Sequence, residues 1–164
     1  MRLPDGRQSL TCDYCGAVAL PEAYEDGIRV LGEASETKCP VCKIPLAPAA
    51  LLEHRFLYCT RCRGSLIPMP VFVSLVQNLR ARGGNAGEAP NPPNPPDPRD
   101  LQRALRCPQC GGAMDTHYYL GGGHVVIDDC SRCELNWLDA GELQTIARTP
   151  DHSLDESPPA GSDW

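Results

Sequence analysis

Apolar residues recur along the chain at two different spacings. Around the glycines at 121–123, Tyr118, Tyr119 and Leu120 on one side and Val125, Val126 and Ile127 on the other read as two short strands of a hairpin. Just beyond, Leu143, Ile146 and Ala147 fall on one helical face. Asp139 is placed to cap that helix, with Glu142 three positions on to complete a capping box. Val71, Phe72, Leu75, Val76 and Leu79 predict a longer helix over "VFVSLVQNLRAR". It is approached through Pro68 and Pro70, where the first helical N–H groups have no partner to lose. "GAVAL" and "GIRVL", near the N-terminus, are two further candidate strands.

Residues 83–98, "GGNAGEAPNPPNPPDP", and the tail "TPDHSLDESPPAGSDW" show no apolar period. The first reads as an extended linker, the second as a disordered tail. The pattern therefore divides the chain into an N-terminal segment (1–38), two compact modules (39–82 and 101–147), the linker between them (83–100) and the tail (148–164).

The two modules repeat one another. Each opens with Cys-Pro-x-Cys and reaches Cys-x-Arg-Cys after 16 or 19 intervening residues. Aligned on the second pair, Leu66 matches Trp137, Ile67 matches Leu138, Phe72 matches Leu143 and Leu75 matches Ile146. All ten cysteines of the chain lie in Cys-x-x-Cys pairs. Two residues between cysteines turn the chain so that both sulfurs reach one ion, and two such knuckles complete a tetrahedron of Zn–S bonds of about 2.3 Å. The expected ligands are Cys39, Cys42, Cys59 and Cys62 for one zinc ion and Cys107, Cys110, Cys130 and Cys133 for another. Four thiolates leave no open coordination position, so both sites are expected to be structural. The fold class that follows is a small metal-stabilised α+β protein of tandem zinc ribbons, each a β-hairpin with two knuckles followed by a helix, with little large core.

Composition agrees with that reading. Aromatics make up 5% of the chain, whereas Pro and Gly number 17 and 15, and small folds short of apolar residues draw on metals. The absence of an apolar leader and of a long apolar run points to a reducing, cytoplasmic setting with no membrane span. The net charge of −6 argues against a broad phosphate-binding surface. Residues 1–82 carry ten Lys/Arg against eight Asp/Glu, so a local basic patch is not excluded. Arg55, Arg61 and Arg63, interleaved with Phe56 and Tyr58, are the candidate nucleic-acid contacts, by phosphate pairing and base stacking.

The segment "CPQCGGAMDTHYYLGGGHVVIDDCSRCELNWLDAGELQTI" resembles the TFIIB-type zinc-ribbon, or transcription factor zinc-finger, family. The resemblance lies in Cys-Pro-x-Cys-Gly-Gly, an apolar strand, Cys-x-x-Cys and then Trp-Leu-Asp-x-Gly-Glu-Leu. It implies zinc on Cys107, Cys110, Cys130 and Cys133. The first copy shares the cysteine pattern but has Lys43 in place of the first Gly and "LIPMPV" in place of the acidic helix start. The expected function is a non-catalytic adaptor binding a protein, or less favourably a nucleic acid, with a link to transcription. The alternative is a thiol redox switch or chaperone acting through the Cys-x-x-Cys pairs. Asp139 and Glu142 are read as caps rather than catalytic carboxylates, Trp137 as core, and no histidine has a spacing that completes a cysteine site.

Cys12 and Cys15 are left over, and two readings stay open. They pair with Cys39 and Cys42 across 23 residues, which breaks the repeat. Or they form half of an additional site, completed by a second copy in a homodimer, by another protein's ligands, or not at all, which leaves two free thiols.

Overall fold

The structure is a computed structural model, and it describes residues 10–11, 18–19, 23–24, 26–83, 99–119 and 125–148. Near the N-terminus β1 (Leu10–Thr11) pairs antiparallel with β2 (Val18–Ala19). The rest is one antiparallel sheet. β3 (Arg29–Val30), β4 (Ala47–Leu51), β5 (His54–Tyr58) and β6 (Ser65–Pro68) come from the first half of the chain. β7 (Asp115–Tyr118), β8 (Val126–Cys130) and β9 (Leu135–Leu138) come from the second. The order is β3-β4-β5-β6-β9-β8-β7. α1 (Met69–Gly83) follows β6 and α2 (Glu142–Arg148) follows β9.

Alternation along β5 shows how the sheet divides its faces. Phe56 and Tyr58 are buried among Ile28, Ala49, Leu51, Ile67 and the helix residues Phe72, Leu75, Leu143 and Ile146. Leu57 points the other way, into a second cluster with Leu66, Leu135, Trp137 and the zinc-site cysteines. One face thus carries α1 and α2, and the other carries the knuckles. Buried on both sides, β9 has all four of its residues in the interior, as a central strand requires.

The two repeats meet at the middle of this sheet. β6 pairs with β9 in the register Ser65↔Leu138, Leu66↔Trp137, Ile67↔Asn136 and Pro68↔Leu135, and the ladder extends through Met69 N–H to Glu134 O at 2.8 Å. Leu66 and Trp137 are equivalent positions of the repeat and face one another, so a local two-fold axis relates the copies. The helices obey it too: Phe72 and Leu75 share one cluster with their counterparts Leu143 and Ile146. This corrects the picture of two ribbons with little core strung on a proline linker. A four-residue strand with apolar side chains on both faces cannot sit at the edge of a small ribbon without exposing them. Each copy covers the other's edge, and the apolar cores become continuous.

The first unit also begins earlier than residue 39, because β3 adds to β4 and Ile28 is core. Gly27, at φ 80°, closes the turn before β3 with an N–H bond to Tyr24 O of 2.8 Å. Asp26 O in that turn accepts a 3.3 Å bond from Gln144 of α2. "GIRVL" therefore holds a strand of the main sheet, while "GAVAL" pairs locally in β2.

The inter-copy contact depends on one absent side chain. A Cβ on Gly64 would lie 2.6 Å from Cη2 of Trp137 and nearer still to Cζ2, with the indole itself 0% exposed. Gly64→Ala is expected to destabilise the zinc-loaded chain by about 1–3 kcal/mol, the usual cost of overpacking. Denaturant unfolding followed by Trp137 emission measures it. Combined with Trp137→Leu the penalty should shrink, since the two sites share one contact.

Candidate metal centres

Among the described residues, four sharp turns carry the cysteines, and they share one feature. The residue after the second cysteine has left-handed backbone geometry: Lys43 (φ 62°), Arg63 (62°), Gly111 (70°) and Glu134 (52°). Lys43 therefore keeps the conformation that Gly111 adopts freely, and its Nζ donates to Pro40 O at 2.6 Å. In three turns the same two backbone bonds recur. Lys43 N–H reaches Cys39 O, Arg63 N–H reaches Cys59 O and Gly111 N–H reaches Cys107 O at 2.8–3.0 Å, while the first cysteine's N–H bonds Ile44, Gly64 or Gly112 O at 2.8 Å. In the fourth turn Cys130 pairs with Leu135 as a rung of β8 and β9, and Cys133 N–H bonds Cys130 O at 3.2 Å.

These turns bring the sulfurs together as the repeat predicts. Cys39, Cys42, Cys59 and Cys62 form one group and Cys107, Cys110, Cys130 and Cys133 another, with the sulfurs of each group all within 4.8 Å of one another. Cys39 and Cys62 Sγ are 3.6 Å apart, and Cys110 and Cys130 Sγ 3.7 Å. A tetrahedral zinc with Zn–S bonds of about 2.3 Å needs sulfur–sulfur edges of about 3.8 Å, whereas a disulfide needs about 2.05 Å. Backbone N–H groups approach the sulfur inside the turns, Cys42 N to Cys39 Sγ at 3.2 Å and Cys62 N to Cys59 Sγ at 3.5 Å. They would soften thiolate charge. The donor set thus fits zinc. Because Cys39 and Cys42 group with Cys59 and Cys62, the repeat holds and the pairing of Cys12/Cys15 with Cys39/Cys42 does not form. Cys12 and Cys15 themselves lie outside the described residues.

Crowding four thiols together splits their acidities. In the first group burial pushes Cys39 and Cys62 up; Cys59 is lowered because the N–H groups of Cys62 and Arg61 outweigh its burial. In the second group the N–H of Gly112 brings Cys110 down to about 7. Burial pushes Cys130 up, and carries Cys133 to about 12. Each group thus holds one thiol ready to ionise beside two that resist. A dication is what allows all four to be thiolates.

The other sequence candidates fall outside these groups. Phe56 and Tyr58 are core residues, at 5% and 0% exposure, so their rings offer no surface on which bases could stack. That corrects the aromatic half of the nucleic-acid patch. Arg55 and Arg61 are exposed, and Arg63 is half-buried, 3.6 Å from Asp26. His54 bonds Asn78 at 2.8 Å and His117 lies 3.3 Å from Asp129. Among the described residues no histidine joins a metal-ligating group.

Beside the second centre is a charged network not anticipated from the sequence. Arg103 reaches back from the segment before Cys107, donating to Asp128 Oδ2 at 2.6 Å and to Asp139. Asp128 is 0% exposed and also accepts from Thr116 Oγ1. Trp137 Nε1 donates to Asp139 Oδ1 at 3.1 Å. Asp139 therefore does not cap α2 with its side chain as expected, because Arg103 and Trp137 hold the carboxylate. The returning half of the box does form, Asp139 N–H to Glu142 Oε2 at 2.6 Å. The only signal in the sequence was an acid, Asp128, inside the apolar run "HVVIDDC".

Burial raises the Glu142 carboxyl to about 8. Its folded value lies above its unfolded one, so the folded chain holds the extra proton and stability falls as pH rises from about 4.5 to about 8. Between pH 6.5 and 8 the zinc-loaded chain should lose about 2 kcal/mol from this group. Glu142→Gln should flatten that slope, as read from denaturation midpoints at the two pH values.

Among known proteins, the sequence model of the transcription factor zinc-finger family, a TFIIB-type zinc ribbon, matches residues 106–149. The first copy, with its own four-cysteine group, has no such match. No curated protein and no solved structure matches the chain. The second copy is thus similar to a TFIIB-type zinc ribbon, and the first supplies the same four-cysteine geometry.

Proposed function

We propose that the chain is a non-catalytic adaptor of a reducing, cytoplasmic setting, whose two zinc ions hold a rigid sheet on which another protein docks. The observation that carries this reading is the closure of both metal groups. Each has four cysteine donors, the first of every pair buried in the sheet and the second partly exposed, and four thiolates leave a bound zinc no position for water or substrate. The description of the matching family points to transcription as the process in which to look for the partner.

The test compares the zinc-loaded chain in partner capture and in nucleic-acid binding at two salt concentrations, alongside a disulfide-reduction assay. Protein capture that tolerates salt, with no turnover, is the expected result. Binding of nucleic acid that collapses as salt rises would move the role to Arg55, Arg61 and Arg63. Thiol turnover with loss of zinc would overturn the adaptor.

The leftover cysteines extend the same reading. The residue before each first cysteine pairs with the residue seven positions on: Lys38↔Pro45, Tyr58↔Ser65, Arg106↔Ala113 and Asp129↔Asn136. Thr11 and Val18, which bracket Cys12 and Cys15, pair in that same frame. This register supports a fifth knuckle at Cys12 and Cys15, and we propose that a second copy completes it as a zinc site shared between subunits. Native mass spectrometry of the zinc-loaded chain should then find two zinc ions per monomer and five per dimer. Cys12→Ser with Cys15→Ser should abolish the fifth.

A further inference from the structure

The local two-fold axis allows a direct comparison of the same place in both copies. The bond from Leu46 N–H to Thr37 O, 2.8 Å, recurs as Met114 N–H to Leu105 O, 2.9 Å, so Ser35 is the counterpart of Arg103. By the same alignment Leu57 stands for Asp128, Pro68 for Asp139, Pro48 for Thr116 and Leu66 for Trp137. In the second copy this space is filled from within, the Arg103 guanidinium lying between two carboxylates with the Trp137 indole bonded to one of them. In the first copy Ser35 is too short to reach it and turns instead to Leu46 O at 2.8 Å. A groove of about 400 Å³ remains on the knuckle face. Pro48, Leu57, Leu66, Pro68 and Leu135 line it together with Arg55.

The exchange of two acids and a threonine for leucine and prolines sets what the groove can take. An arginine would be desolvated there without a carboxylate partner. A flat apolar side chain is favoured, and acids beside it gain from Arg55. Residues 149–164 of this chain have that chemistry. They contain Asp151, Asp155, Glu156 and Asp163, no Lys or Arg, and the second of only two tryptophans, Trp164. Sixteen residues can span about 50 Å when extended, more than the about 35 Å width of a domain this size.

We infer that the groove of the first copy is the docking site of the chain's own acidic segment 149–164, with Trp164 as its apolar anchor and Arg55 facing its carboxylates. The first ribbon is thereby completed from outside, as the second is completed by Arg103. The inference does not depend on which partner the sheet carries. Its test is acrylamide quenching of tryptophan emission in the zinc-loaded chain of residues 1–164, with Trp164→Phe isolating the buried Trp137. The expected result is weak quenching of both indoles, a several-fold rise for Trp164 alone in Arg55→Glu, and no change on dilution. A freely quenched Trp164 in the unaltered chain would overturn the inference, as would protection indifferent to Arg55→Glu. Protection lost on dilution would overturn it in favour of the segment of a second copy.

Discussion

Cys59→Ser is expected to unfold both copies in a single transition, although the substitution touches only the first metal centre. A structural zinc contributes apparent binding of about 10–16 kcal/mol, against total stabilities of about 5–15 kcal/mol for domains. Losing one ion therefore exceeds what the remaining contacts supply. The second copy cannot stand aside. β9 would lose its partner β6 along four paired residues, and Trp137 would lose the Gly64 surface against which it lies. The cluster around Leu66 and Trp137 contains cysteines from both metal groups. Hydrogen exchange on the zinc-supplied variant gives the measurement, since it reports each strand separately. Amides of β8 and β9 should lose protection together with those of β5 and β6, and Cys107→Ser should produce the mirror result. Protected β8 and β9 in Cys59→Ser would mean that the ribbons fold independently and that the shared sheet contributes little.

That coupling is where reading the chain as a string stopped short. The cysteine groups were legible because ligand spacing is local: two residues between sulfurs and 16 or 19 between pairs determine which four meet. Both helices were legible for the same reason, and Phe72, Leu75, Leu143 and Ile146 sit in the core as their spacing requires. The pairing of β6 with β9 is not a local property. Its clue was present in the alignment of Leu66 with Trp137, but a repeat alone does not say that equivalent strands will pair with each other. The pattern of "LNWL" was the stronger clue, because Leu135 and Trp137 fall on one face and Leu138 on the other, and a strand apolar on both faces calls for cover on both. Phe56 and Tyr58 were misplaced for a related reason. Their interleaving with arginines looks like a binding stripe, yet alternation along β5 puts Arg55 on the face opposite Phe56 and Tyr58. The Arg103 network was signalled only by Asp128 in its apolar run, and its partner could not be read off because the members are 25 and 36 residues apart.

Arg103→Ala should be the most costly substitution away from the cysteines, at about 3–5 kcal/mol. The guanidinium is the cation that pairs the fully buried Asp128 carboxylate, and it also holds Asp139. Removing it leaves two carboxylates facing each other with Glu142 close by, and the unpaired buried charge dominates the cost. Arg103→Lys should recover only part of the loss, because one ammonium cannot place planar donors on both acids. The first copy shows a different solution in the same fold, with Ser35, Leu57 and Pro68 where Arg103, Asp128 and Asp139 stand. Arg103→Ser with Asp128→Leu should therefore be markedly more stable than Arg103→Ala alone, since the charge and its partner leave together. Guanidinium unfolding at saturating zinc separates the cases through the midpoint. If the double variant is no more stable than the single one, the cost lies in lost packing of the arginine stem and not in the stranded carboxylate.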